Sequence, residues 1–105
     1  MRTYRSVESD VLMWGDARGI TKNGTPLGQA TKTLEEATEL VVAVTKNNRE
    51  EAIDAIGDVM VTLVMVGSLL DVDVVACFEH AYNQIKDRKG YLNADGVFVK
   101  ESVPQ

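Results

Sequence analysis

Apolar residues recur at helical spacing through most of the chain and predict four helices. Hydroxyl, amide and carboxylate side chains that can cap helix starts precede each of the four patterns. Thr25-Pro26 is the clearest of these starts, because proline at the first helical position has no N–H to lose. The predicted helices cover about residues 7–17, 26–46, 49–70 and 74–89.

The second and third predicted helices differ in how their apolar residues are arranged. The second has a single stripe made by Leu34, Ala37, Val41 and Val44. The third is apolar around nearly its whole circumference over residues 59–69, which is typical of a helix buried on every side, at the centre of a bundle or between subunits. We therefore expect an all-α, four-helix bundle-like fold assembled as a homo-oligomer.

The C-terminal tail has a different character from the helices. Asn93-Ala94-Asp95-Gly96 is typical of a turn, and residues 97–99 can form a short extended segment laid across the bundle. A chain of 105 residues is sufficient for one domain, so residues 1–105 are predicted to form a single domain.

Composition and charge exclude several classes of function. The net charge of −5 and the lack of a long basic cluster argue against a nucleic acid polymer as partner. The single Cys77 cannot form an internal disulfide, and the N-terminus has no apolar signal segment, so we expect a cytoplasmic protein. The most apolar stretch, residues 59–70, has only twelve residues and is too short to span a membrane.

Carboxylates at helical spacing flank the short break between the second and third helices. Glu36 and Glu39 share one face of the second helix, and Asp54 and Asp58 share one face of the third. In an antiparallel hairpin both pairs lie roughly 10–17 Å from the break, so they are level. Four carboxylates at one height suit a hard cation such as Mg²⁺ or Mn²⁺.

Two interpretations of these carboxylates remain open on spacing alone. Charge-rich helices usually carry solvated carboxylates, and Lys32, Lys46 and Arg49 can supply ordinary surface ion pairs. Asp58 favours a metal site, because an aspartate that enters an apolar helix needs a partner to offset its desolvation.

Two motifs resemble those of the MazG-like all-α nucleoside triphosphate pyrophosphohydrolases. Residues 35–39, EEATE, match the EExxE motif of that superfamily, and residues 56–59, IGDV, match the end of its ExxD motif. The superfamily includes dimeric dUTPases, dCTP pyrophosphatases and phosphoribosyl-ATP pyrophosphatase. Residues 81–90 and 97–101 resemble phage-type members in particular.

The resemblance implies a Mg²⁺-dependent enzyme, with Mn²⁺ as a possible substitute, that cleaves (d)NTPs into (d)NMP and pyrophosphate to control nucleotide pools. It implies a homo-oligomer, dimer or tetramer, in the host cytoplasm if the protein is phage-encoded. Glu36, Glu39 and Asp58 are then metal ligands, and Glu35 is a further ligand or orients the attacking water.

The resemblance also implies residues that contact the substrate. Asn83, Lys86 and Arg88 match phosphate-contacting positions of the family, and Trp14 is a candidate wall of the base pocket. By residue type alone, Trp14 is more often a core residue, and cations in the last turn of a helix are favoured by its dipole in any case.

One position departs from the family pattern. The glutamate of ExxD falls at Ala55, and Asp54 is the expected substitute as fourth metal ligand, with Glu51 as second candidate. The same departure supports an alternative, a catalytically silent helical assembly module. A third candidate is phosphoribosyl-ATP hydrolysis on the same scaffold, against which the phage-like tail argues.

Overall fold

A computed structural model describes residues 1–101 and confirms the all-α class, with five helices and one small hairpin. The helices are α1 (Tyr4–Ala17), α2 (Ile20–Asn23), α3 (Pro26–Thr45), α4 (Arg49–Leu70) and α5 (Val74–Ile85). The strands are β1 (Gly90–Leu92) and β2 (Phe98–Lys100), which pair antiparallel.

Two helix boundaries differ from those predicted, and one short helix was not predicted. The first helix begins earlier because the hydroxyl of Thr3, not Ser6, caps it and accepts from the N–H of Ser6. The short α2 was not predicted, since four residues after the left-handed Gly19 carry no periodicity to detect. α5 ends at Ile85 instead of Lys89, so its predicted last turn is not helical.

The chain divides into two compact units, residues 1–74 and residues from 75 onward. The first unit contains α1 to α4, and the second contains most of α5 and the hairpin. The single domain expected from chain length stays a prediction.

An antiparallel pair of long helices, α3 and α4, forms the framework of the first unit. Only Lys46, Asn47 and Asn48 connect them. Asn47 has a positive φ of 55°, a conformation that asparagine tolerates, and the side chain of Asn48 caps α4 by accepting from the N–H of Glu51. The break therefore forms the tight hairpin expected from the sequence.

The face of α3 that packs inward is not the apolar stripe. Glu36 and Ala43 are the buried residues of α3, whereas Leu34, Val41 and Val44 are 61–68% exposed. The sequence interpretation found the stripe correctly but did not place it on the outside of the chain.

The apolar helix α4 is likewise not enclosed by its own chain. Its inner side buries Ala55, Thr62, Val64, Met65 and Gly67. Its outer side leaves large apolar residues exposed, namely Ile53, Ile56, Met60, Leu63 and Leu70.

By length and composition alone α4 could cross a membrane. Its 22 residues include a window with mean hydropathy 1.9, of which 28% is buried. The sequence argument considered only residues 59–70, whereas the helix begins at Arg49. One such helix is weak evidence, because core helices of soluble proteins pass the same test; α4 packs along α3 and carries the polar Asp58 and Thr62 at mid-helix.

A hydroxyl pair joins α3 to α4 next to the acidic residues. The hydroxyl of Thr33 lies 2.8 Å from that of buried Thr62, which donates to the carbonyl of Val59 at 2.7 Å. Thr33 precedes Glu36 by three residues and Thr62 follows Asp58 by four, so the pair lies about one turn from both carboxylates.

Replacement of Thr62 by valine should weaken this junction. We expect Thr62→Val to lower the free energy of unfolding by about 1 kcal/mol more than loss of a hydroxyl that bonds only within its helix, because it removes the interhelical bond from Thr33 as well as the bond to the Val59 carbonyl. Urea denaturation followed by circular dichroism measures the change. Thr45→Val is the matched control, since the hydroxyl of Thr45 bonds only within its own helix, to Val41. Equal effects of the two substitutions would contradict a role for the junction.

In the second unit, the turn between β1 and β2 follows the expected sequence signal. The side chain of Asn93 accepts from the N–H groups of Asp95 and Val97, and Gly96 has a positive φ of 75°. The extended segment predicted at residues 97–99 is a strand over Phe98–Lys100 that pairs with Gly90–Leu92, and its predicted place across the bundle stays a prediction.

Candidate metal centre

Three carboxylates from two helices meet between α3 and α4. Glu36 and Glu39 lie on one face of α3, and Asp58 lies on α4. One carboxylate oxygen of each residue lies within 4.8 Å of one oxygen of each of the other two. The antiparallel hairpin brings these residues together, because residues equally far from its connection lie side by side.

The buried carboxylate of the three is not the one expected from the sequence. Asp58 was expected to be the desolvated member, but it is exposed, and Glu36 is only 8% exposed. The Oε2 atom of Glu36 is buried with no hydrogen-bond partner among the described residues. A buried carboxylate oxygen without a partner costs free energy unless a cation or a proton satisfies it. The three carboxylates therefore suit a divalent cation such as Mg²⁺ or Mn²⁺.

The other oxygen of Glu36 faces a lysine. Lys32 Nζ lies 3.5 Å from Glu36 Oε1 and 3.2 Å from Glu35 Oε1. Glu35 has a 58% exposed side chain and does not belong to the triad of Glu36, Glu39 and Asp58. Its predicted part in metal binding or water orientation stays a prediction. The sequence suggested only a surface ion pair for Lys32, and its spacing of four residues before Glu36 was the available signal.

The pKa of Glu39 is raised above its ordinary value of 4.5. The main cause is that protonated Glu39 can donate a hydrogen bond to the Glu36 carboxyl, followed by the negative charge of Glu36. The folded chain therefore holds this proton more tightly than the unfolded chain does. The resulting stability is present below pH 4.5 and is lost as the pH rises through the raised pKa.

A cation would replace this proton, so stabilisation by metal should depend on pH. We expect the rise in melting temperature caused by Mn²⁺ to be small at about pH 5 and larger at about pH 7.5, because at the lower pH the cation must displace the proton on Glu39. Thermal unfolding in Mn²⁺ and in chelator measures it. A rise that is the same at both pH values would contradict the proton competition.

A second cavity adjoins the triad and contains the position that departs from the family pattern. Its volume is about 440 Å³, and buried Ala55 forms part of its wall. Asp54 and Glu51 also line it, together with Glu39 and Asp58. Neither Asp54 nor Glu51 belongs to the triad, but both line this cavity, as do the triad residues Glu39 and Asp58.

A larger cavity also borders the triad. It has a volume of about 610 Å³ and includes Glu36 and Asp58 in its lining. Trp14 from α1 lines it and is 42% exposed, so it is a surface of the cavity and not a core residue. Asn23 and Gln29 add neutral amides that the sequence interpretation missed, since isolated amides give no spacing signal.

The predicted phosphate-contacting residues lie in the second unit. Asn83 is on α5, whereas Lys86 and Arg88 follow the end of that helix. All three are exposed. Their role toward a substrate stays a prediction.

These features define a class: helical proteins in which facing carboxylates on an antiparallel helix pair form a cation site beside a cavity. A family model described as phosphoribosyl-ATP pyrophosphohydrolase matches residues 19–84, more than half of the chain. The chain belongs to this family, which confirms the resemblance to MazG-like proteins.

A solved structure and a phage protein are similar to this chain. The MazG-like pyrophosphohydrolase of cyanophage S-2L, bound to dGDP and three catalytic Mn²⁺ ions per active site, has a TM-score of 0.74 at 19% identity. The match covers 98% of this chain and 97% of that one, and it supports the fold.

The phage protein is an uncharacterised 18.2 kDa protein of the rep-hol intergenic region of Haemophilus phage HP1. It is 29% identical over 75 residues, which are 71% of this chain. The chain spans about half the length of that relative, 46%.

Proposed function

We propose that this chain is a Mg²⁺- or Mn²⁺-dependent nucleoside triphosphate pyrophosphohydrolase acting in the cytoplasm. Water would attack the α-phosphorus, the bond from that phosphorus to the bridging oxygen of the β-phosphate would break, and monophosphate and pyrophosphate would leave. The observation that carries the proposal is the Glu36–Glu39–Asp58 triad with the buried Oε2 of Glu36, which has no hydrogen-bond partner in the part of the chain that the structure describes. Family membership supports the same reaction class.

The residues in and around the triad would have different roles in such a reaction. The carboxylates would hold the cation, which when bound neutralises phosphate charge and lowers the pKa of a bound water. Lys32, which lines the larger cavity beside Glu36, supplies a positive charge next to the carboxylates. An exposed carboxylate such as Glu35 could accept the proton of the attacking water.

The substrate would occupy the larger cavity, with its phosphates at the triad and its base toward Trp14. The cavity extends from Glu36 and Asp58 to Trp14, and its volume of about 610 Å³ lies in the usual range for small-molecule sites. Asn23 and Gln29 could hydrogen-bond a base edge, since amides both donate and accept.

A panel of substrates tests the proposal. Ribo- and deoxyribonucleoside triphosphates and phosphoribosyl-ATP are incubated with Mg²⁺ or Mn²⁺, and monophosphate and pyrophosphate are quantified. We include phosphoribosyl-ATP because the matching family model carries that name. Turnover of that substrate alone would replace the nucleoside triphosphate assignment. Absence of both products across the panel, with no stabilisation by metal, would favour the silent assembly module.

Asp54 is proposed as the fourth metal ligand in place of the family's glutamate. It borders the second cavity next to Ala55, as does Glu51. We expect Asp54→Asn to weaken Mn²⁺ binding by more than about 100-fold and Glu51→Gln to weaken it less, because only Asp54 is four residues from Asp58 on one helix face. Isothermal titration calorimetry measures both. A larger loss in Glu51→Gln would transfer the role to that residue.

A homo-oligomer, dimer or tetramer, is proposed to cover the outer faces of α3 and α4. Exposed apolar residues recur every seven residues on α3 and every three, four and seven residues on α4, which is the spacing that one helix presents to another. They are Leu27, Leu34 and Val41 on α3 and Ile53, Ile56, Met60 and Leu63 on α4. Two such hairpins, one from each copy, would together form a bundle of four helices.

A further inference from the structure

Trp14 contacts Arg18, which lies four residues further along the chain and is not part of the lining of the larger cavity. The guanidinium carbon of Arg18 lies 4.7 Å from the centre of the Trp14 ring system. Arg18 Nη1 also donates to the carbonyl oxygen of Trp14 at 3.3 Å. Residues four apart on a helix share a face, which explains how both contacts form together.

Arg18 and Trp14 differ in their access to the cavity. Trp14 belongs to the cavity lining, and Arg18 does not. The guanidinium therefore contacts the ring without occupying the space proposed for the nucleotide. Arg18 also occupies the C-cap of α1, directly before Gly19, whose positive φ of 77° turns the chain into α2.

We propose that Arg18 is a positioning residue that fixes the Trp14 ring as a stacking wall for the nucleobase. This inference rests on the proposed function, since it deepens the assignment of the same cavity to a nucleotide. The attraction between a guanidinium and an indole face restricts the ring before the base arrives. Less side-chain freedom is then lost on binding, so the base binds more tightly.

The test uses the fluorescence of Trp14, because it is the only tryptophan in the chain. α,β-Methylene nucleoside triphosphates, one purine and one pyrimidine, are titrated with Mg²⁺ into the wild type, Arg18→Met and Arg18→Lys. Emission is corrected for nucleotide absorbance. The same nucleotides and inorganic tripolyphosphate, which has the phosphates but no base, are titrated in parallel by calorimetry.

We expect both nucleotides to quench Trp14 in the wild type. Arg18→Met should raise the Kd of the nucleotides by about threefold to fivefold and leave that of tripolyphosphate unchanged. Arg18→Lys should restore part of the loss, because it keeps the charge but not the planar stacking group.

Two results would overturn the inference while the proposed function stands. The first is nucleotide binding to the wild type without a change in Trp14 emission. The second is an Arg18→Met substitution that changes the Kd of nucleotide and the Kd of tripolyphosphate by the same factor, or changes neither. Failure of the proposed function itself is distinct, since the wild type would then neither bind these analogues nor release pyrophosphate.

Discussion

Glu36→Gln should abolish turnover and remove the stabilisation by divalent cation, while leaving the metal-free chain folded. Glu36 supplies the only buried carboxylate among the described residues, and its Oε2 has no hydrogen-bond partner there. An amide keeps the shape but is a far weaker cation ligand than a carboxylate. Residues that only orient metal ligands typically contribute 10–100-fold, so loss of a ligand should lower kcat/KM by more than about 100-fold.

Without metal, Glu36→Gln should be at least as stable as the wild type, although its activity is lost. Three carboxylates with oxygens within 4.8 Å repel one another, and removal of one charge relieves that repulsion. We therefore expect the melting temperature in chelator to be equal to or higher than that of the wild type, and the rise caused by Mn²⁺ to disappear. A site kept for function at the expense of stability behaves in this way.

Glu50→Gln is the control for this substitution. Glu50 is an exposed carboxylate in the first turn of α4 and lies in neither the triad nor the two cavities. It should keep both turnover and the response to metal. If Glu36→Gln retained turnover like Glu50→Gln, the assignment of the metal centre would be wrong.

The sequence predicted the helices and the hairpin well because their signals are local. Thr25 caps α3 and Pro26 begins it, and Asn48 caps α4, as the residue types indicated. Glu36, Glu39 and Asp58 came together because helical rise and a short connection fix their heights. These steps need no knowledge of tertiary packing.

Which helix face packs inward could not be read from the sequence in the same way. α3 has one side with Leu34 and Val41 and another with Glu36 and Ala43, and the second side is the buried one. A periodic stripe shows that a face is apolar, but not whether its own chain or another chain covers it. The burial of Glu36 and the exposure of Asp58 follow from that choice, so both were beyond the sequence argument.

Leu34→Asp should dissociate the proposed homo-oligomer and destabilise it. Leu34 is 68% exposed in the single chain, so in a monomer an aspartate there would be solvated and nearly neutral in effect. In an assembly every copy would place an unpaired carboxylate in an apolar interface, which costs several kcal/mol for each charge. We expect the mass in solution to fall from a multiple of 11.5 kDa to that of one chain.

Met13→Asp provides a control of equal exposure. Met13 is also 68% exposed, but it lies on α1, away from the repeating apolar positions of α3 and α4. Analytical ultracentrifugation and thermal unfolding of the wild type and both variants, each over a range of concentrations, compare the two sites. An interface on α3 requires that Leu34→Asp alone lowers the mass and makes unfolding independent of concentration. A wild type that sediments as one chain throughout, or equal effects of the two variants, would show that the outer faces of α3 and α4 do not join copies of this chain.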